Sequence, residues 1–277
     1  MTITLYENRN WDGRSLDITR NYRSLKDTTL GNHPSSIKMT EVDDAILMFN
    51  KEDWKGGVIY FRGVRNMANL GDLSSGGELF KGNSVTSVRV EPFEVKLNVT
   101  FVTSNGRLPG DYDERTHVEA AFGKAVLFAN DFFDREKAMI EMQVARTSFR
   151  DKPKKFDLTP AEAASFPADW TNPGEIDVVV CNSLDGAYGQ AKMPWWGKAM
   201  VVMLKDRSVG QVARTLAHEL GHFLGLGHGS GDGQAANIMT TSDNGLTIDQ
   251  SVLEPEQIEE MQTKLAKNLS RKGNRIE

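Results

Sequence analysis

The stretch His218-Glu219-Leu220-Gly221-His222-Phe223-Leu224-Gly225-Leu226-Gly227-His228 constrains this chain more than any other. It holds three of the five histidines in 277 residues. His218 and His222 are four apart, so on a helix they share one face and can aim both imidazoles at one ion. His228 cannot come from that face. On a straight helix its six-residue separation from His222 would carry it about 9 Å further along the axis. The chain therefore has to reverse, and Gly225 can take the positive φ of a helix C-terminal cap. Gly227 offers a second pliable joint. Glu219, next to the first histidine, is close enough to take a proton from a water at the ion. Three nitrogen ligands with a fourth position left to water are the pattern of a catalytic zinc site.

The helix that would carry the first two histidines is legible upstream. Ser208 can cap it, and Val212, Leu216, Leu220 and Phe223 recur at helical spacing as a buried face. Other elements follow from periodicity. Leu97 to Val102 reads as a strand, Asp113 to Phe133 as a helix burying Val118, Phe122, Ala125, Ala129 and Phe132, and Met139 to Ala145 as a second strand. The apolar run Ile176 to Cys181 suits a strand covered on both faces. Gly197 to Leu204 reads as a further strand, and Pro255 to Leu265 as an amphipathic helix with Ile258, Met261 and Leu265 inward.

His218, Glu219, His222, Gly225 and His228 match the HExxHxxGxxH signature, and the segment resembles the metzincin zinc endopeptidases. The resemblance covers residues 94–277, with specific motifs from 218 to 240. It implies an α+β zincin catalytic domain, zinc as cofactor, protein or peptide substrates, and Glu219 as general base. It implies that Asn237-Ile238-Met239-Thr240 forms the methionine turn, with Met239 packed under the ligands and not bound to the ion. It also implies an edge strand that pairs with the substrate backbone, which places substrate contacts at Lys198, Met200 and Val202 within Lys198 to Met203. The sequence departs from subfamily patterns at Gly229 and at Thr240 and Thr241, where some members carry a tyrosine ligand.

The first ninety residues contain an internal repeat. Leu5-Tyr6, Trp11, Gly13 and then Ser35-Ser36-Ile37 are matched by Met48-Phe49, Trp54, Gly56 and then Thr86-Ser87-Val88. Short strands among turn residues make this an all-β Greek-key pattern, with Gly13 and Gly56 permitting a tight fold of each first hairpin. The pattern resembles the βγ-crystallin domain, a double Greek-key sandwich. In that family the segment before each serine end can bind calcium, which here points to Asn32 and Ser35 and to Asn83 and Thr86. The first position of each half-site is glycine, at Gly31 and Gly82, so either weak calcium binding or a purely structural loop is expected.

The expected architecture is thus two domains, 1–92 and 93–277, meeting near Pro92. A formal charge of −5 argues against nucleic acid as a partner. Lys152, Lys154 and Lys155 read as a solvated loop. No apolar run is long enough to span a membrane, and a monomer is expected. Cys181 is the single cysteine and ends an apolar run, so it reads as a buried thiol with no disulfide. The opening Met1-Thr2-Ile3-Thr4-Leu5-Tyr6 enters a strand pattern without the shape of a signal peptide, which suggests a bacterial protein that is cytoplasmic or exported by a signal-less route. The β domain could target substrate, cover the cleft or act as a spacer. A non-catalytic zinc- or calcium-binding interaction protein is the alternative from another class. A structural zinc would require a fourth protein ligand, and no cysteine or further histidine lies near the motif.

Overall fold

The computed structural model describes residues 3–31, 33–42, 44–72, 74–75, 78–79, 85–164, 175–191, 200–228, 236–240 and 245–271. The chain forms two compact units. The first comprises the described residues of Met1–Phe93, Lys137–Met139 and Gln262–Asn274, and the second those of Glu94–Glu136, Ile140–Met261 and Arg275–Glu277. The partition is not a single cut in sequence, because the 137–139 strap joins the first unit, where the Phe93 N–H donates to the Met139 carbonyl at 2.8 Å.

The first unit is built from β1 (Ile3–Tyr6), β2 (Ser15–Ile18), β3 (Ser36–Met39), β4 (Ala45–Lys51), β5 (Lys55–Arg62), β6 (Arg65–Met67), β7 (Ser74–Ser75), β8 (Glu78–Leu79) and β9 (Ser87–Arg89). One sheet has the order β2-β1-β3-β6 and the other β5-β4-β9, while β7 and β8 form a separate small pair. The two sequence repeats exchange their third segments. β6, from the second repeat, pairs with β3 of the first, and Tyr22, from the first, bridges to Val88 on β9. Neither repeat therefore completes a sheet alone. The shared core holds Leu5, Ile37 and Met39 from one repeat and Met48, Phe61 and Val88 from the other.

The matched tryptophans and serines explain each other. The Trp11 N–H donates to Ser36 Oγ at 3.0 Å, and Ser36 Oγ donates to the Asn8 carbonyl at 2.6 Å. In the second repeat the Trp54 N–H donates to Ser87 Oγ at 3.1 Å, and Ser87 Oγ donates to the Lys51 carbonyl at 2.7 Å. Each indole Nε1 also donates to a strand carbonyl, Ile37 at 3.1 Å and Val88 at 3.3 Å. The folded corner places Asn10 and Trp11 at φ 58° and 60°, and Asp53 and Trp54 at φ 55° in both cases. A tryptophan in the left-handed region is costly, so these bonds must hold it there. Gly13 contributes as the sequence suggests: its φ is +80°, and a Cβ would meet Asn8 Nδ2 at 2.6 Å.

The second unit contains β10 (Phe93–Thr103), whose first residue belongs to the first unit, then β11 (Ile140–Asp151), β12 (Asp157–Leu158), β13 (Ile176–Cys181), β14 (Ser183–Leu184), β15 (Gly189–Gln190) and β16 (Met200–Met203). Its helices are α1 (Arg115–Arg135), α2 (Pro160–Ala164), α3 (Val209–Phe223) and α4 (Pro255–Arg271), the last running on into the first unit from Gln262. The main sheet has the order β11-β10-β13-β16-β15. β10, β13 and β16 are parallel, and β15 runs antiparallel to β16.

Val178 through Cys181 are fully buried because both faces of β13 are covered. On one face Val102, Val179, Cys181 and Val201 pack against Phe156, Leu158 and Ala163. On the other, Phe101 meets Phe122 of α1 edge-on at 5.9 Å, and α1 packs on α3. The expected buried positions of α1 and α4 are buried, whereas Phe223 on α3 is only half-buried. Cys181 is a free, buried thiol whose pKa burial pushes up to about 12.

Two stability tests follow from these contacts. Ser87→Ala leaves the buried Trp54 N–H without its acceptor, and should cost about 1–3 kcal/mol in denaturant titration of the β unit, with Ser36→Ala acting in the same direction. Asp177, buried on β13, accepts from Asn98 at 2.8 Å, and no described donor reaches its second oxygen. Burial first, and then nearby Glu175, raises its pKa from 3.8 to about 6. A folded pKa above the unfolded one favours folding at low pH, and that contribution disappears as pH rises through about 6. Asp177→Asn should therefore gain thermal stability over wild type between pH 4 and 6 and hold that gain above pH 6. Parallel melting curves for the two proteins across pH 4–8 check this.

Candidate metal centre

The structure brings the three histidines together. One nitrogen from each of His218, His222 and His228 forms a group in which all three atoms lie within 4.8 Å of one another. His222 Nε2 and His228 Nε2 are 3.0 Å apart. Two ligands of a tetrahedral zinc at roughly 2.0–2.1 Å stand about 3.3 Å apart, so the spacing suits a shared ion. Among the described residues, no cysteine, carboxylate or fourth histidine joins the group.

Local structure accounts for this convergence. Ser208 caps α3 in a full capping box with Gln211: Ser208 Oγ accepts from the Gln211 N–H at 3.3 Å, and Gln211 Oε1 accepts from the Ser208 N–H at 3.0 Å. At the other end the helix closes in a Schellman arrangement. The Leu226 N–H donates to the Gly221 carbonyl and the Gly225 N–H to the His222 carbonyl, both at 2.9 Å. Gly225 sits at φ +103°, where a side chain would be strained. Gly227 has neither a positive φ nor a close neighbour, so a single glycine makes the reversal.

The same reversal supplies an acceptor. The Leu226 carbonyl lies 2.8 Å from His222 Nδ1, and the Ile238 carbonyl lies 2.7 Å from His218 Nδ1. These carbonyls can only accept, so each Nδ1 carries the proton and each Nε2 offers a lone pair. Burial lowers the pKa of both rings, that of His218 to about 4, which favours the neutral form a metal requires. The donor set, its spacing and its outer hydrogen bonds all fit zinc.

Glu219 is 4% exposed, and its Oε2 has no hydrogen-bond partner among the described residues. Burial pushes its carboxyl up to about 8, against a lowering contribution from the Ala191 backbone N–H. A cation held by the histidines would favour the carboxylate. With the histidines and the chain from Gly186 to Ala191, Glu219 lines a cavity of about 450 Å³.

Two glycines that sequence reasoning passed over make this geometry possible. A Cβ on Gly189 would lie 2.6 Å from Glu219 Oε1 and 2.6 Å from Thr215 Cγ2. A Cβ on Gly221 would lie 2.5 Å from the Met239 sulfur. Met239 is fully buried, and its N–H donates to Asn237 Oδ1 at 2.8 Å within a turn closed by the Thr240 N–H on the Asn237 carbonyl at 3.2 Å. Its sulfur thus packs on α3 at the position between the two helical histidines. Gly221 was visible three residues after His218. Nothing near Gly189 in the sequence marks its role.

The substrate-strand assignment needs correction. β16 is interior to the sheet, bonded to β13 on one side and to β15 on the other, so it cannot accept an added strand. Met200 and Val202 are fully buried, and Lys198 lies outside the described residues. The edge of the sheet on this side is β15, a two-residue strand with none of the apolar alternation that a sequence search detects. Of the residues considered for calcium, Asn32 and Asn83 lie outside the described residues. Ser35 is buried, and Thr86 Oγ1 donates to the Phe49 carbonyl at 3.4 Å.

No family model matches the chain, and no curated protein matches it either. Solved βγ-crystallin structures are similar to it over about a third of its length. One is a βγ-crystallin from Ciona intestinalis, 21% identical, covering 33% of this chain and 100% of that one with a TM-score of 0.28. Another is a βγ-crystallin domain from Clostridium beijerinckii, 18% identical, covering 32% of this chain and 95% of that one with a TM-score of 0.26. The N-terminal domain of protein S is 23% identical, with 32% and 93% covered and a TM-score of 0.26. These similarities are confined to about a third of this chain, and the reading of the histidine cluster rests on its own geometry. No described helix is long and apolar enough to cross a membrane.

Gly189→Ala tests the packing around Glu219. Overpacking at this point should cost about 1–3 kcal/mol in thermal unfolding, and a crystal structure should show the Glu219 carboxylate displaced from the Ala191 N–H.

Proposed function

We propose that this protein is a zinc-dependent endopeptidase that hydrolyses peptide bonds in protein substrates. The observation that carries this reading is a cavity in which three histidine nitrogens converge beside a buried glutamate, one of whose oxygens has no partner among the described residues. His218, His222 and His228 would hold the zinc. When bound, the zinc would supply a Lewis acid that acidifies a water and polarises the scissile carbonyl. Glu219 takes the proton of the attacking water and returns it to the leaving amine. The backbone that buries Glu219 also excludes bulk water from it, which strengthens every charge interaction made there.

The edge strand β15 supports the peptidase assignment. It lies in the cavity wall, next to Glu219, and an edge strand offers backbone donors and acceptors to an extended peptide. Recognition by main-chain pairing fits an enzyme that takes segments of protein chains. The βγ-crystallin-like unit would serve to bring such substrates near. A purely structural zinc is disfavoured, because the cluster leaves one coordination position to solvent or ligand among the described residues.

The experiment is cleavage of a denatured general substrate by the full chain, with and without chelator. Glu219→Ala should keep one zinc per chain and lose at least about 10²-fold in rate, the scale of general-base catalysis. His228→Ala should lose both zinc affinity and rate. Unchanged cleavage by Glu219→Ala, or chelator-insensitive cleavage by wild type, would refute the mechanism.

A further inference from the structure

Arg214 is 3% exposed, one helical turn before His218 on α3. A guanidinium so deeply buried is costly unless its donors are matched by acceptors. Its hydrogen bonds lead to a separate part of the chain. Nη1 donates to Ser251 Oγ, and Nη2 to the Asn237 carbonyl at 3.2 Å and to Thr240 Oγ1 at 3.3 Å. These three acceptors are neutral oxygens, and two of them belong to the turn that carries Met239.

That turn is also zipped to the segment around Ser251. The Ile238 N–H donates to the Val252 carbonyl and the Val252 N–H to the Ala236 carbonyl, both at 2.9 Å. Ser251 is gripped from its other side, where Arg135 Nη2 donates to its carbonyl at 2.6 Å. Between the two ends held by Arg214 stands Ile238, whose carbonyl orients His218. Beside it Met239 packs on Gly221. Pulling the turn away from α3 would move the acceptor of His218 and the surface beneath the ligand pair together.

We propose that Arg214 is a positioning residue of the metal centre: its guanidinium fork locks the 237–240 turn and Ser251 onto α3, and so fixes the orientation of His218. This rests on the zinc reading given above. A lysine would keep the charge but could not span the same three oxygens with a planar fork. Charge alone would work against a cation in the cluster, so the reason for an arginine here is its geometry.

The test measures metal binding by the full chain: competition for zinc against a chromogenic chelator, and the visible absorption of the cobalt-substituted protein. Arg214→Met and Arg214→Lys should each weaken zinc binding about 10- to 100-fold, the range for loss of an outer-shell partner, and should alter the cobalt bands, with lysine giving no rescue. Thr240→Val, which removes one acceptor and keeps the arginine, should act in the same direction by less. It also provides the measurement if the Arg214 variants do not fold. Three results would overturn the proposal: a folded Arg214→Met with zinc affinity within about threefold of wild type and an unchanged cobalt spectrum, tighter zinc binding by Arg214→Met, or, where the Arg214 variants do not fold, an unchanged Thr240→Val. A purely structural role predicts a lower melting temperature with those spectra intact. Failure of the wild type itself to bind zinc would instead remove the reading on which the proposal stands.

Discussion

An α-helix can aim two imidazoles at one point but not three, and the reversal at Gly225 is the constraint from which the histidine cluster follows. The break has to be abrupt, since His228 must return to within reach of a helix it has just left. The Schellman closure does this in three residues and leaves the Leu226 carbonyl beside His222. One backbone feature therefore brings in the third nitrogen and fixes the tautomer of the second. A side chain at Gly225 would oppose φ +103° and put both at risk.

The partner of the first helical histidine comes from much further along the chain, and that difference shapes the rest of the unit. His222 is oriented by a carbonyl four residues away, whereas His218 depends on Ile238, twenty residues later. Local geometry secures the first contact. The second requires tertiary structure: the turn at 237–240, its pairing with Val252, and the arginines that grip Ser251. A buried cation on α3 is understandable in this light, since hydrogen bonds from a fixed fork can place the backbone of a turn more closely than the packing of Ile238 and Met239 alone.

How much of this could be read from sequence depended on whether the cause was local. The helix and its cap, the reversal and the apolar run of β13 were legible because spacing, capping and hydrophobic period operate within a few residues. The paired Trp and Ser positions of the first unit were legible as a repeat. Their function as hydrogen-bonded corners was not, because Trp11 and Ser36 meet only through the fold. The left-handed positions fell on Asn10-Trp11 and Asp53-Trp54, residue types that do not advertise positive φ as glycine does. The misplaced substrate strand has a similar origin. Met200 to Met203 is the more strand-like sequence, and that is why it lies inside the sheet, while the edge is the unremarkable Gly189-Gln190.

The position of β15 joins two demands that are usually considered separately. An exposed edge offers unpaired backbone groups, and a buried carboxylate needs space and a donor. Here the same few residues meet both: Gly189 leaves the space that the Glu219 carboxylate fills, and the Ala191 N–H is the donor it retains. A larger residue at 189 would keep the edge but expel the carboxylate, so the absence of a side chain is what lets an edge strand also wall in Glu219. The short length of β15 is consistent with this. A longer, more apolar edge would pair indiscriminately with other chains, whereas two residues present little unpaired backbone.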